Sequence, residues 1–271
     1  MDLNQKKKSQ RRGSNFQRKH EEDIKRIQRF RLLDDDFMSK VFEDKKCAEL
    51  LLRIILKRED LKVQEVQVQH ELKNLQGRSV RLDILAVDSV NKIYNVEVQR
   101  DDDGAAAKRA RYNSSLLDAN ILEAGKECEQ LNESYVIFIT ERDVLKCGLP
   151  IYHIDRVITE TGQNFGDESH IIYVNSQWKD NTDLGKLMQD FYCTSAEDMN
   201  YEILAERVRY FKEKEEGVGL MCRELEEMRK EAHEEGRIEI IAEFLKNGTE
   251  EEAKRFLKVT EAELQRAKGL L

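Results

Sequence analysis

The chain has 271 residues, 39% of them hydrophobic and 37% charged, with a net charge of −8. That length allows one large domain or a core with an appendage, and so high a charged fraction points to solvated helix outside the core. No apolar run nears the roughly 20 residues that cross a bilayer, and the basic N-terminal stretch MDLNQKKKSQRRGSNFQRKH lacks the apolar segment of a secretory signal.

Residues 1–22 read as a disordered basic arm, with seven Lys or Arg and one Asp in the first 20. Such an arm either contacts phosphates or is a solvated tail, and composition leaves both open. Residues 23–57 read as helical, with Asp34–Asp36 placed to cap a second helix from about Phe37 and a break near Glu43–Lys46. Periodicity then shifts to two. VQEVQVQ (63–69), VRLDILAVD (80–88) and KIYNVEVQ (92–99) read as strands, the last two joined by a hairpin loop at Asp88–Lys92. Residues 101–125 read as a helix that Gly125 can stop. SYVIFIT (134–140) has the apolar continuity of a buried strand, and IYHIDRVI (151–158) and HIIYV (170–174) are further strand candidates. The order predicts an α/β core with a mixed sheet. From about 182 the chain turns helical. Residues 201–271 hold 18 Glu and 14 Lys or Arg, and 201–235 is polar enough for a solvated helix or coiled-coil arm. The end divides into three short helices, with capping boxes expected at Thr249/Glu252 and Thr260/Glu263. The expected domains are an arm (1–22), a core (23–195) and a helical C-terminal region (196–271).

The five Cys are widely spaced, odd in number and without a C-x-x-C pair, and the five His are scattered. This points away from a zinc site or disulfide framework and toward a reducing, cytoplasmic setting. The chemistry lies in the hairpin. If its loop is Asp88–Lys92, Val87 pairs with Ile93, Asp83 falls opposite Glu97, and Arg81 falls opposite Gln99. Opposed residues share a face, and two carboxylates so placed repel unless a divalent cation offsets the cost. The carbonyl of Val98 adds an oxygen, and Gln99 shares the face of Glu97. A one-residue slip dissolves the set, and a half-exposed hairpin with two solvated acids is the plain alternative.

At these residues the chain resembles a known family. Asp83 in RLDILAVD, with Glu97 and Gln99 in YNVEVQR, resembles the D…E-x-Q core of the bacterial recombination-promoting nuclease and transposase family, a branch of the PD-(D/E)XK superfamily in which Gln often takes the Lys position. DDFMSKVFED (35–44) resembles its first-helix start, although Glu43 stands at a usual Gly and Met38 or Ser39 near a usual Phe-Lys. KRARYNSSLL (108–117) resembles its R-x-x-Y helix, and the tail from Glu234 its helical end.

The resemblance implies a restriction-endonuclease-like αβββαβ core and Mg²⁺-dependent cleavage of DNA, with Mn²⁺ as a substitute. It makes Asp83, Glu97 and the Val98 carbonyl metal ligands, Gln99 the orienter of the attacking water, Arg109 and Tyr112 supporting residues, and Asp35 a third acid. Arg109 and Tyr112, three residues apart on one helix face, are equally readable as a packing pair. The C-terminal helices lack a basic recognition helix and suggest homo-oligomerisation or capping. The acidic net charge and the Gln in place of Lys keep a non-catalytic binding or assembly protein on the same fold as the alternative.

Overall fold

The structure, a computed structural model, describes residues 18–74, 79–100, 102–123 and 125–271. The helices are α1 (residues 18–27), α2 (Asp35–Phe42), α3 (Lys45–Leu56), α4 (Ala107–Ile121), α5 (Asp183–Asp190), α6 (Glu202–Glu213), α7 (Glu215–Leu245), α8 (Glu250–Leu257) and α9 (Glu261–Lys268). The strands are β1 (Val63–Leu72), β2 (Val80–Asp88), β3 (Ile93–Gln99), β4 (Ser134–Thr140), β5 (Ile151–Ile154) and β6 (Ser169–Asn175). The chain gathers into two compact units. One is Gln28–Tyr210; the other comprises residues 18–27 with Phe211–Leu271.

The larger unit is built on a six-stranded sheet in the order β1-β2-β3-β4-β6-β5. β1, β2 and β3 form an antiparallel meander. β3, β4 and β6 run parallel, with α4 in the connection from β3 to β4, and β5 closes the edge antiparallel to β6. From α3 to β4 the order is the expected αβββαβ. β3 is central and buried along nearly its whole length, so its alternation of residue types does not appear as alternating exposure.

Local chemistry accounts for the element ends. At the β2–β3 turn the Asp88 carboxylate accepts from the backbone N–H groups of Val90 and Lys92 and from the Tyr94 hydroxyl, while Asn91 takes a positive φ of 64°. Val87 pairs with Ile93, as the expected loop requires. Asp44 caps α3 by accepting from Lys46 N, which produces the break between α2 and α3. Phe37, Met38, Val41 and Phe42 of α2, with Cys47, Leu51, Leu52 and Ile55 of α3, are buried.

Several expectations are corrected. Of the arm over 1–22, residues 1–17 lie outside the described residues, but 18–22 are helical. The helix expected over 101–125 is a 3-10 turn at Asp102–Ala105 followed by α4, which an extended Leu122 ends before Gly125. The strand expected over 151–158 stops at Ile154, where pairing with β6 ends. Val157 returns only as an isolated bridge to Asn164. The first of the three expected C-terminal helices is the end of the 31-residue α7, because no proline interrupts it and Gly236 sits with open space around it.

In the smaller unit Ile238, Ile241 and Ala242 of α7 pack with Ala253, Val259, Leu264 and Ala267. Both expected capping boxes are present there. The Asp23 carboxylate pairs with Arg229. Among the described residues no helix is long and apolar enough to cross a membrane.

Candidate active site

The β2–β3 ladder runs from Val87–Ile93 to Ile84–Val96 and its recorded pairs end there, while β3 stays paired with β4 through Gln99–Thr140. One step past the last β2–β3 pair, Asp83 stands across from Glu97. The Val98 N–H donates to Asp83 Oδ2 at 3.0 Å, so a side-chain carboxylate takes the hydrogen bond that a strand carbonyl usually accepts. Amide and carbonyl of one strand residue point to the same neighbour, which turns the Val98 carbonyl toward Asp83 as well.

Neither acid is a solvated residue of a half-exposed hairpin. Asp83 is 6% exposed and Glu97 fully buried. Neither oxygen of Glu97 sits in a well-formed hydrogen bond, although the buried Asn95 amide, two residues earlier on β3 and itself without a well-placed partner, lies near enough to favour the charged carboxylate. Unpaired buried carboxylates are costly, and protonation is the ordinary relief. Burial foremost, then the charges of Glu97 and Asp35, push Asp83 up to about 9, against the pull of the Val98 N–H and Arg109. Burial also pushes Glu97 up to about 7, opposed by the Asn95 amide and then by Arg109, with Asp35 adding. Asp35, in the first turn of α2, is exposed as a residue, yet its carboxyl is held above the usual carboxylate range by desolvation and by Asp36, with Arg81, the neighbouring Asp83 and Arg109 opposing.

Three acids from α2, β2 and β3 thus meet. Arg109 of α4 reaches them, its Nη2 lying 3.7 Å from Glu97 Oε2. The Tyr112 hydroxyl accepts from Asn74 Nδ2 at 2.9 Å, and its ring packs against the cluster of Leu82, Ile93 and Leu117. Both Arg109 and Tyr112 line a cleft of about 580 Å³, together with Arg81, Lys108 and Asn113. Gln99, at the end of β3, has its backbone held by Glu141 N, which donates to Gln99 O at 2.9 Å. Its side chain lies against Gly104 of the 3-10 turn.

Sequence reasoning passed over Lys108, Asn113 and Gly104. Lys108 adjoins Arg109 and was within reach of the same argument. The buried, unpartnered amide of Asn113 and the approach of Gln99 to Gly104 depend on packing and leave no local signal.

The donors suit a hard divalent cation: a buried carboxylate without a well-formed hydrogen bond, a second carboxylate opposite it and a carbonyl turned the same way. Among the described residues no cage of three or more His, Cys, Asp or Glu side chains is placed to hold a metal ion. Mg²⁺ asks for no such cage, since it keeps several waters and takes one or two carboxylates along with phosphate oxygens.

No curated protein and no solved structure matches the chain. A family model described as PD-(D/E)XK nuclease family transposase matches residues 37–239. The match begins in α2, takes in the whole sheet and ends in α7. It contains Asp83, Glu97, Gln99 and Arg109, and starts two residues after Asp35. The matched span covers most of the chain, and within it lie the mixed sheet and the opposed acids: the chain belongs to the PD-(D/E)XK nuclease family of transposases.

Proposed function

We propose that the protein is a metal-dependent DNA endonuclease that promotes recombination or serves a mobile element in the cytoplasm. One observation carries this reading: Glu97 is fully buried with neither oxygen in a well-formed hydrogen bond, directly across from Asp83. A fold gains no stability from that arrangement, whereas a cation site requires it. A divalent cation held by Asp83, Glu97 and the Val98 carbonyl, with Asp35 at the edge, would neutralise phosphate charge and acidify the attacking water.

The chain's own residues account for the rest. The Gln99 amide donates and accepts hydrogen bonds and so can orient a water, but it cannot take a proton at neutral pH, so its role is orientation. Arg81, Lys108 and Arg109 line one cleft and supply positive charge for a polyanionic backbone although the chain is acidic overall. Arg109 stands between the two groups, attracting Glu97 at rest and available to a phosphate oxygen when substrate enters.

The test is plasmid nicking by the full-length protein with Mg²⁺, Mn²⁺ or EDTA, comparing wild type with Asp83→Ala and Glu97→Ala. Cutting only with metal, lost in both folded variants, is the expected result. Full activity in either variant would remove the assignment.

A non-catalytic nuclease-fold protein is the second reading, favoured by the closeness of the Asp35 and Asp83 carboxyls, since a protonated acid pair can satisfy itself without metal. Titration calorimetry separates the two. Mn²⁺ binding that disappears in Glu97→Ala supports the nuclease; no binding at pH 8 supports the alternative.

A further inference from the structure

Gly104 is the third residue of the Asp102–Ala105 turn, and its φ lies outside the left-handed region that calls for glycine at Gly125, Gly148, Gly162 and Gly166. Its backbone would accept any L residue; the space around it would not. A Cβ at this position would stand 1.9 Å from Gln99 Oε1 and 2.9 Å from Gln99 Cδ, while the other atom within reach, Gln99 Cγ, would be at an ordinary 3.5 Å. The conflict is therefore with the amide tip of one side chain and not with backbone.

Both partners are anchored from behind. Ala105, the next residue, is fully buried, and its carbonyl accepts from the buried Tyr173 hydroxyl at 2.8 Å. Gln99 is held at the backbone by its register with Thr140 and by the hydrogen bond from Glu141 N. The turn cannot readily retreat from a new methyl group, nor can the Gln99 backbone, so the amide must swing.

We propose that Gly104 is a positioning residue for Gln99: the missing side chain leaves the berth in which the Gln99 amide lies at the end of β3, two residues on from Glu97. This rests on the reading of Gln99 as the residue that orients the attacking water. A glutamine side chain has three rotatable bonds, and a wall on one side removes many of its conformers before substrate arrives. Displacement of an orienting group by about 1 Å can cost on the order of 10²-fold in rate.

The experiment compares full-length wild type, Gly104→Ala, Gln99→Ala and the double variant. Three quantities are read: thermal unfolding, the Gln99 side-chain NH₂ resonances (identified by their loss in Gln99→Ala), and kcat and KM for plasmid nicking. The Gly104→Ala protein is expected to unfold within a few degrees of wild type, because alanine suits a helical turn better than glycine. Its Gln99 amide resonances move, kcat falls about 10- to 100-fold with KM little changed, and the double variant is no slower than Gln99→Ala. If Gly104→Ala fails to fold, the double variant, from which the conflict is gone, must fold as wild type does. Unmoved Gln99 resonances, or rate losses that multiply in the double variant, overturn the positioning role even where Gln99 proves essential. Full nicking by Gln99→Ala overturns the reading of Gln99 itself, and with it the role of Gly104.

Discussion

Arg109 holds a guanidinium nitrogen 3.7 Å from Glu97 Oε2, near enough to attract the carboxylate and too far to hydrogen-bond it. The pair is lopsided, with Arg109 substantially exposed and Glu97 wholly buried, so the attraction offsets only part of the desolvation of Glu97. Replacing Arg109 with Gln removes that opposition and should lift the Glu97 pKa further, by about one unit. The acid limb of the pH–rate profile for nicking should move to higher pH by the same amount. An unmoved limb would show that Arg109 does not act on Glu97.

The pH dependence of stability has a definite sign. Glu97 is raised from 4.5 to about 7 and Asp83 from 3.8 to about 9, so between these limits the folded protein binds protons that the unfolded chain releases. Stability from these groups is fully present at acidic pH and is lost as pH rises through the raised values. In EDTA the melting temperature should fall between pH 5.5 and 8.5. Glu97→Gln, which keeps the shape and removes the charge, should flatten that slope and stabilise the protein at pH 8.5 by roughly 1–3 kcal/mol. Denaturant titrations at the two pH values measure it, and an equal slope in the variant would contradict it.

Asp83 combines a proposed functional role with a structural one, and two substitutions separate them. Asp83→Asn retains an oxygen for the Val98 N–H, whereas Asp83→Ala leaves that buried donor without its acceptor. Both should lower nicking at least 100-fold, by the weight such electrostatic groups carry. Only the alanine variant should lose a further 1–3 kcal/mol or so of stability. Equal unfolding midpoints for the two variants would mean that the Val98 N–H finds another partner.

The hairpin was legible because both of its determinants are local. Asp88 closes the turn with its own side chain, and alternation from Val80 to Gln99 sets which residues face one another, so the opposition of Asp83 and Glu97 follows from counting. The meeting of Asp35 with that pair was reached only through resemblance, since it depends on how α2 packs. Tyr112 shows the limit of helix spacing: three residues from Arg109 it shares the cleft, yet its hydroxyl goes to Asn74. The 3-10 turn before α4 went unread because Asp-Asp-Asp-Gly-Ala-Ala-Ala suits the opening of either helix type, and the carbonyl of Ala105 at its end is held by a hydroxyl distant in sequence, that of Tyr173.

In the C-terminal helices, Thr260 accepts from Glu263 N while the Glu263 carboxylate accepts from Thr260 N and pairs with Arg237. Thr260→Ala should destabilise α9 and its packing on α7 by about 1 kcal/mol and leave nicking at the wild-type rate. Hydrogen exchange confined to 250–271 would locate the loss, and a fall in nicking would reveal a coupling that the separate hydrophobic cluster of these helices does not suggest.

The acids come from α2, β2 and β3, but the strand that holds β3 in line is β4, which is made some forty residues later and pairs with it in parallel. Parallel pairing is a long-range contact and closes late in folding. The β2–β3 hairpin can pair as soon as it is made, but the residues of β3 beyond its last pair with β2, Glu97 to Gln99, are set in line by β4, so this end of the hairpin takes its final form only once the chain has been made through Thr140.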